Sequence, residues 1–126
     1  MDIKIPGIDN VISHFGEWPS FHDAEIVEVH LHRKDASWIK INAWHMTNKI
    51  NEKGHYIKDK HATVIFNFKD IIDIELVDFS HQNVISSLDI EQVKEGYKLI
   101  LWPCYGLSGY ITAKDINISI TPFNGV

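Results

Sequence analysis

The chain has 126 residues, 44% of them hydrophobic and 23% charged, which fits one ordinary globular domain spanning residues 1–126 and argues against disorder. No apolar run approaches the roughly 20 residues that cross a bilayer, so a membrane is not an expected partner. Twelve basic residues against seventeen acidic ones give a net charge of −5, the wrong sign for gripping phosphate backbones, so no nucleic acid partner is expected either.

The amino terminus and the single cysteine favour a cytoplasmic location. The opening residues, MDIKIPGID, lack the basic region and the apolar block of a secretory signal. Cys104 has no second cysteine with which to form an internal disulfide, and its apolar surroundings, LILWPCYGL, predict a buried and inert thiol.

The first predicted element is a short amphipathic helix. Its apolar residues recur at steps of three and four: Ile8, Val11, Ile12 and Phe15. Asp9 is the expected cap, and Gly16 stands where the helix should stop.

From Asp23 onward the apolar period changes to two, which predicts half-buried strands. In the first strand we expect Val27, Val29 and Leu31 to point inward and Glu28, His30 and His32 outward. After a turn at residues 34–36, the second strand directs Ile39, Ile41 and Ala43 to one face and Trp38, Lys40, Asn42 and Trp44 to the other.

The remaining chain is rich in strands. Residues 47–59 are predicted to form a hairpin excursion or a long loop, and residues 80–94 a turn leading into a strand. Alternation predicts further strands over 62–68, 72–76, 97–102, 107–113 and 116–120. The apolar residues expected on the inward faces of the first two of these are Ala62, Val64, Phe66 and Phe68, and then Ile72, Ile74 and Leu76, which alternate with Asp73 and Glu75. The expected fold class is α+β, a mainly antiparallel sheet of six to eight strands with a short amino-terminal helix.

The segment FGEWPSFHDAEIVEVHLHR, residues 15–33, concentrates aromatic, histidine and acidic residues before the first strand. Trp18, His22 and Asp23 have three possible roles here: an anchor for the chain, a recognition surface, or an acid/base or metal site. Neighbours on an extended chain point to opposite faces, so contact between His22 and Asp23 would require a turn.

His30 and His32 are the best metal candidates, because side chains two apart on one strand face lie about 6–7 Å apart. Glu28 could join them. No third ligand with recognisable spacing follows, so an exposed polar face is the favoured interpretation, and no cofactor is expected.

Acidic and aromatic residues supply candidates for a protein interface. Asp23, Glu25 and Glu28 cluster near the first strand, and Asp73 and Glu75 lie on a later one. Trp38 and Trp44 are either core or interface residues, because aromatic side chains are enriched in both settings. Trp102 is assigned to the core. A basic protein surface would complement this acidic chain.

Four segments in order resemble the immunity protein 50 family of bacterial polymorphic toxin systems: WPSFHDAEI, HMTNKINEKGHYI, DIELVDFSHQNVISSL and GLSGYITAKDINISITP. The likeness spans about residues 15–122. It implies a small cytosolic protein, not an enzyme, that binds and neutralises a cognate toxin.

Two other functions stay open on the sequence: a small metal-dependent hydrolase using His30 and His32, and an oligomeric scaffold without a toxin partner. The expected partner is a toxin with a basic surface. The candidate partner-binding residues are Trp18, His22, Asp23, Glu25, Glu28, Trp38, Trp44, Asp73 and Glu75.

Overall fold

The computed structural model describes residues 3–123, in which six strands form a closed barrel and one helix lies against it. The elements are α1 (Ile8–Phe15), β1 (Glu25–His30), β2 (Ser37–Ile50), β3 (Tyr56–Val77), β4 (Val84–Val93), β5 (Gly96–Tyr105) and β6 (Ser108–Pro122). The order around the barrel is β1-β2-β3-β6-β5-β4, and every neighbouring pair is antiparallel. The predicted fold class is confirmed. No helix within residues 3–123 is long and apolar enough to cross a membrane.

Two strands join segments that the sequence predicted as separate strands. β3 runs for 22 residues, because the backbone bulges between Ile71 and Asp73 without ending the strand. β6 likewise joins the two strands predicted over 107–113 and 116–120. The polar segment 47–59 is the predicted hairpin, with β2 extending to Ile50 and β3 beginning at Tyr56.

The core follows the alternation on the central strands. The buried side chains of β2 and β3 are Ile39, Ile41, Ala43, Ala62, Val64, Phe66 and Phe68, as predicted. They join Ile85, Leu99, Leu101 and Ile111 from the other half of the barrel and Val11 and Phe15 from α1 in a single cluster. Burial of these side chains is the main stabilising term of the fold.

Four inward predictions are wrong, for three physical reasons. A bulge between Ile26 and Glu28 turns Val27 outward, and Leu31 lies beyond the end of β1, so both are exposed. Ile72 and Ile74 are also exposed. The pairing of β3 with β2 stops at Phe68, so the last part of β3 pairs with β6 alone.

The ends of α1 are formed by glycines. Gly16 ends the helix as predicted, with a left-handed φ of 88° and its N–H donating to the Ile12 carbonyl at 2.7 Å. At the other end Gly7 caps the helix and Asp9 lies in the first turn, so the predicted Asp9 cap is wrong. A Cβ at Gly7 would lie 1.7 Å from the Ile118 carbonyl oxygen, so β6 approaches too closely for any other residue.

The barrel closes where β1 meets β4, through a short set of hydrogen bonds. The backbone N–H groups of Asp23 and Ile26 donate to the carbonyls of Ile85 and Asn83 at 2.9 and 2.8 Å, and Ile85 N–H donates to Ala24 at 2.9 Å. The buried Asn83 side chain stabilises this seam. Its Oδ1 accepts from the backbone N–H groups of Ser80 and Leu107, both at 2.9 Å, and its Nδ2 donates to the Ser80 carbonyl at 3.0 Å.

We predict that Asn83→Ala lowers the free energy of unfolding by about 2–4 kcal/mol. The substitution leaves the backbone N–H groups of Ser80 and Leu107 and the Ser80 carbonyl without their hydrogen-bond partner. Urea unfolding followed by tryptophan fluorescence measures the change. Asn67→Ala is the control, since the Asn67 amide makes only long contacts of 3.3–3.5 Å, and it should cost about 0.5 kcal/mol. Equal losses for the two variants would show that Asn83 has no special role at the seam.

Candidate functional site

The chain turns sharply just before β1, at the segment the sequence singled out. Phe21 and Asp23 adopt left-handed backbone conformations, with φ of 59° and 65°, and the Ala24 N–H donates to the Phe21 carbonyl at 3.0 Å. This turn brings Nε2 of His22 to 3.6 Å from Oδ2 of Asp23, and both side chains are exposed. The two residues therefore touch, as the sequence allowed only with a turn.

The same turn is attached to the barrel on both sides. Nδ1 of His22 lies 3.1 Å from the Ser86 carbonyl on β4, and because a carbonyl can only accept, Nδ1 must carry the proton. Trp18 is half-buried, packs against the core and meets Phe21 edge to face at 5.5 Å. These contacts support the interpretation of the segment as an anchor that fixes how the chain enters β1.

The outer face of β1 and β2 brings Glu28 and Trp38 together. The Trp38 indole N–H donates to the Glu28 carboxylate, and Lys40 Nζ lies 3.6 Å from the same oxygen. The indole hydrogen bond, followed by the positive charge of Lys40, holds the pKa of Glu28 below its ordinary value of 4.5. His30 stacks on the Trp38 ring, with centroids 4.0 Å apart and planes 12° from parallel.

The structure does not keep His30 and His32 on one strand. β1 ends at His30, and Nδ1 of His32 accepts a hydrogen bond from the Lys34 backbone N–H at 3.2 Å. The prediction that His30 and His32 share one strand face, on which the metal hypothesis depended, is therefore wrong. Within the described chain, no three His, Cys, Asp or Glu side chains are grouped so that they could hold a metal ion.

Trp44 and Glu25 lie apart from these groups. Trp44 is half-buried on β2, and Lys58 from β3 places its Nζ 4.2 Å from the centre of the indole ring. Glu25 is exposed at the start of β1, where it pairs with Asn42 on β2 and Val84 on β4. Trp44 is therefore only partly accessible to a partner, whereas Glu25 is accessible at the seam between β1 and β4.

A second outer surface, which we name the four-strand face, crosses β3, β6, β5 and β4. Its two rows of directly paired residues are Glu75, Tyr110, Ile100 and Asp89, and Asp73, Thr112, Lys98 and Glu91. Trp102 extends it along β5. Asp73 and Glu75, both predicted interface residues, thus lie on one face.

Hydrogen bonds fix the aromatic rings of the four-strand face against its carboxylates. The Tyr110 hydroxyl donates to Asp73 at 3.0 Å, and the Trp102 indole N–H donates to Asp89 at 2.8 Å. Lys98 Nζ lies 4.3 Å from the centre of the Tyr110 ring. The hydrogen bond to Asp73, with desolvation and the negative charges of Asp73 and Glu75, raises the pKa of Tyr110.

Trp102 was assigned to the core, and this assignment is wrong because 51% of the residue is exposed. On β5 the inward positions belong to Leu99 and Leu101, so Ile100 and Trp102 must point outward. A period of two over LILW, residues 99–102, places Trp102 on the face opposite Leu99 and Leu101. Because all four residues are apolar, the sequence does not show which face is buried. Cys104 on the same strand is likewise exposed, not buried as expected.

The fold and its surfaces define a small antiparallel barrel that presents aromatic side chains among carboxylates. The chain belongs to the immunity protein 50 family, whose model matches residues 8–122, and the predicted resemblance is confirmed. The family description suggests an immunity protein, a role in which a protein binds a partner toxin. No curated protein and no solved structure matches the chain.

We predict that Trp38→Phe raises the pKa of Glu28 toward its ordinary value of 4.5, because the indole N–H is the largest cause of the lowering. A lowered pKa in the folded state adds stability above the unfolded pKa, and this is lost as the pH falls through the folded value. The variant should therefore lose less stability on acidification. Carbon-13 NMR of the glutamate carboxyl groups measures the pKa.

Trp44→Phe is the matched control, since its indole is covered by Lys58 and lies outside the contacts of Glu28. It should leave the titration of Glu28 unchanged. An identical Glu28 pKa in the wild-type protein and in Trp38→Phe would contradict the assignment of the hydrogen bond.

Proposed function

We propose that this protein acts in the cytoplasm as a stoichiometric inhibitor, which binds a cognate toxin and covers its active site or a site beside it. Membership of the immunity protein 50 family is the observation that carries the proposal. The exposed aromatic and acidic side chains of the barrel support it, because such surfaces suit protein recognition.

Inhibition by covering requires a rigid surface of sufficient area. Stable protein complexes bury roughly 800 Å² on each partner. One side of a six-stranded barrel presents about three strands, which at about 33 Å for ten residues and about 4.8 Å between neighbours supply roughly 300 Å² before the side chains are counted. The projecting side chains and the adjoining loops supply the rest of such an interface.

The charge of the chain favours a toxin with a basic surface. With seventeen acidic and twelve basic residues the chain has a net charge of −5, which speeds its encounter with a cationic partner. Toxins that cleave nucleic acid need basic active sites to hold phosphates, and carboxylates on an inhibitor can take the place of those phosphates.

The proposal predicts one-to-one protection from the toxin encoded beside this gene. Co-expression of this protein should restore growth to bacteria that express that toxin domain, and an unrelated immunity protein should not. In vitro, toxin activity should fall linearly with added protein and reach zero at an equimolar ratio.

Two results would contradict stoichiometric inhibition. Loss of toxin activity at ratios far below one to one would indicate that the protein turns over the toxin or its product as an enzyme. Absence of both complex formation and growth rescue would show that this toxin is not its partner.

A further inference from the structure

The four-strand face has an apolar centre that no other part of the described chain covers. Trp102, Ile100 and Tyr110 surround a depression of about 420 Å³, which Lys98 and Pro103 also line. Trp102 is half exposed, and Ile100 and Tyr110 are each partly exposed. An exposed indole beside an aliphatic and a phenol ring is the composition found at the centres of protein interfaces.

Carboxylates border this apolar centre on both sides. Glu75 and Asp89 are at opposite ends of one row and Asp73 and Glu91 at the ends of the other, so each row ends in negative charge. A row across four strands is about 14 Å long measured along the sheet, and because the sheet is a closed barrel, a partner segment that contacts the carboxylates at both ends must follow its curvature. Lys98 is the single cation in the two rows.

The charges of these carboxylates are not balanced by salt bridges. Asp73 and Asp89 accept hydrogen bonds from neutral donors, Tyr110 and Trp102, which orient each carboxylate without cancelling its charge. Among residues 3–123, none of the four carboxylates forms a salt bridge within 4.0 Å. A partner that brings cations here gains attraction that the chain itself does not use.

Two other exposed surfaces fit a basic partner less well. On the β1–β2 face, Glu28 already has Lys40 beside it. The hairpin formed by the end of β2 and the start of β3 exposes Met46, Ile50 and Tyr56, but its charged neighbours include Lys49, Lys53, Lys58 and Lys60 against Glu52 and Asp59. The hairpin would repel a cationic surface.

We propose that the four-strand face is the surface that binds the toxin, and that an arginine- or lysine-bearing segment of the toxin lies across it, with a cationic side chain in the depression between Trp102 and Tyr110. This inference rests on the proposed function and specifies the surface it uses. The cationic group stacks on the indole while Asp73 and Asp89 accept its hydrogen bonds.

The test measures binding of the purified toxin domain encoded by the neighbouring gene to a set of matched variants. Trp102→Ala should raise Kd at least tenfold, because truncation of a central aromatic residue removes a large share of the binding energy. A triple variant that removes three negative charges, Glu75→Gln, Asp89→Asn and Glu91→Gln, should bind more weakly and show a shallower dependence of Kd on salt concentration.

The controls change the other two surfaces. Tyr56→Ala on the hairpin and Glu28→Gln on the β1–β2 face should alter Kd less than twofold. Thermal unfolding verifies that each variant is folded. With 5-fluorotryptophan in place of tryptophan, the fluorine signal that disappears in Trp102→Phe should shift on addition of the toxin domain, while that of the half-buried Trp18 should not.

The outcomes separate this inference from the function on which it rests. If the wild-type protein neither binds the toxin domain nor protects against it, the proposed function fails and the surface fails with it. If Trp102→Ala and the triple variant bind the toxin domain as tightly as the wild-type protein does, the proposed function stands and the assignment of the interface to the four-strand face is wrong. Loss of binding in Tyr56→Ala or Glu28→Gln alone would move the interface to that surface.

Discussion

The few hydrogen bonds that join β1 to β4 decide whether this sheet is a closed barrel or an open one. β3 and β6 pair along nearly their whole common length, whereas β1 and β4 share a single registered pair, Glu25 with Val84. Closure therefore depends on the residues just outside the strands. The left-handed turn at Phe21 and Asp23 directs backbone donors to β4, and Asn83 ties the adjacent loops together. The aromatic, histidine and acidic residues before β1 are therefore explained first by the need to close the barrel between β1 and β4.

Strand pairing also fixes the outward side chains at the centre of the four-strand face. Edge strands fray, but Tyr110 on β6 and Ile100 on β5 each have a directly paired residue on both sides. Trp102 and Tyr110 are further oriented by their bonds to Asp89 and Asp73. Such a surface loses little conformational entropy when a partner binds, so more of the contact energy appears as affinity.

The sequence predicted the features that depend on local pattern, and it missed those that depend on pairing over distance. Alternation located the inward residues of β2 and the first half of β3, because both strands have neighbours on each side. It failed at Val27, where a bulge shifts the period, and at Ile74, where a neighbouring strand is absent. The Tyr110–Asp73 bond joins residues 37 positions apart, a separation at which no single-sequence pattern predicts contact.

One local motif occurs twice on the barrel with different consequences. In each case an indole donates its N–H to a carboxylate on the adjacent strand: Trp38 to Glu28 and Trp102 to Asp89. The first pair is completed internally, because Lys40 supplies a cation and His30 stacks on the ring. Over the described residues the second pair has neither, so both its charge and its ring face remain open to solvent. The Trp38–Glu28 pair therefore contributes to the stability of the isolated chain. The Trp102–Asp89 pair is the one that a cationic partner would complete.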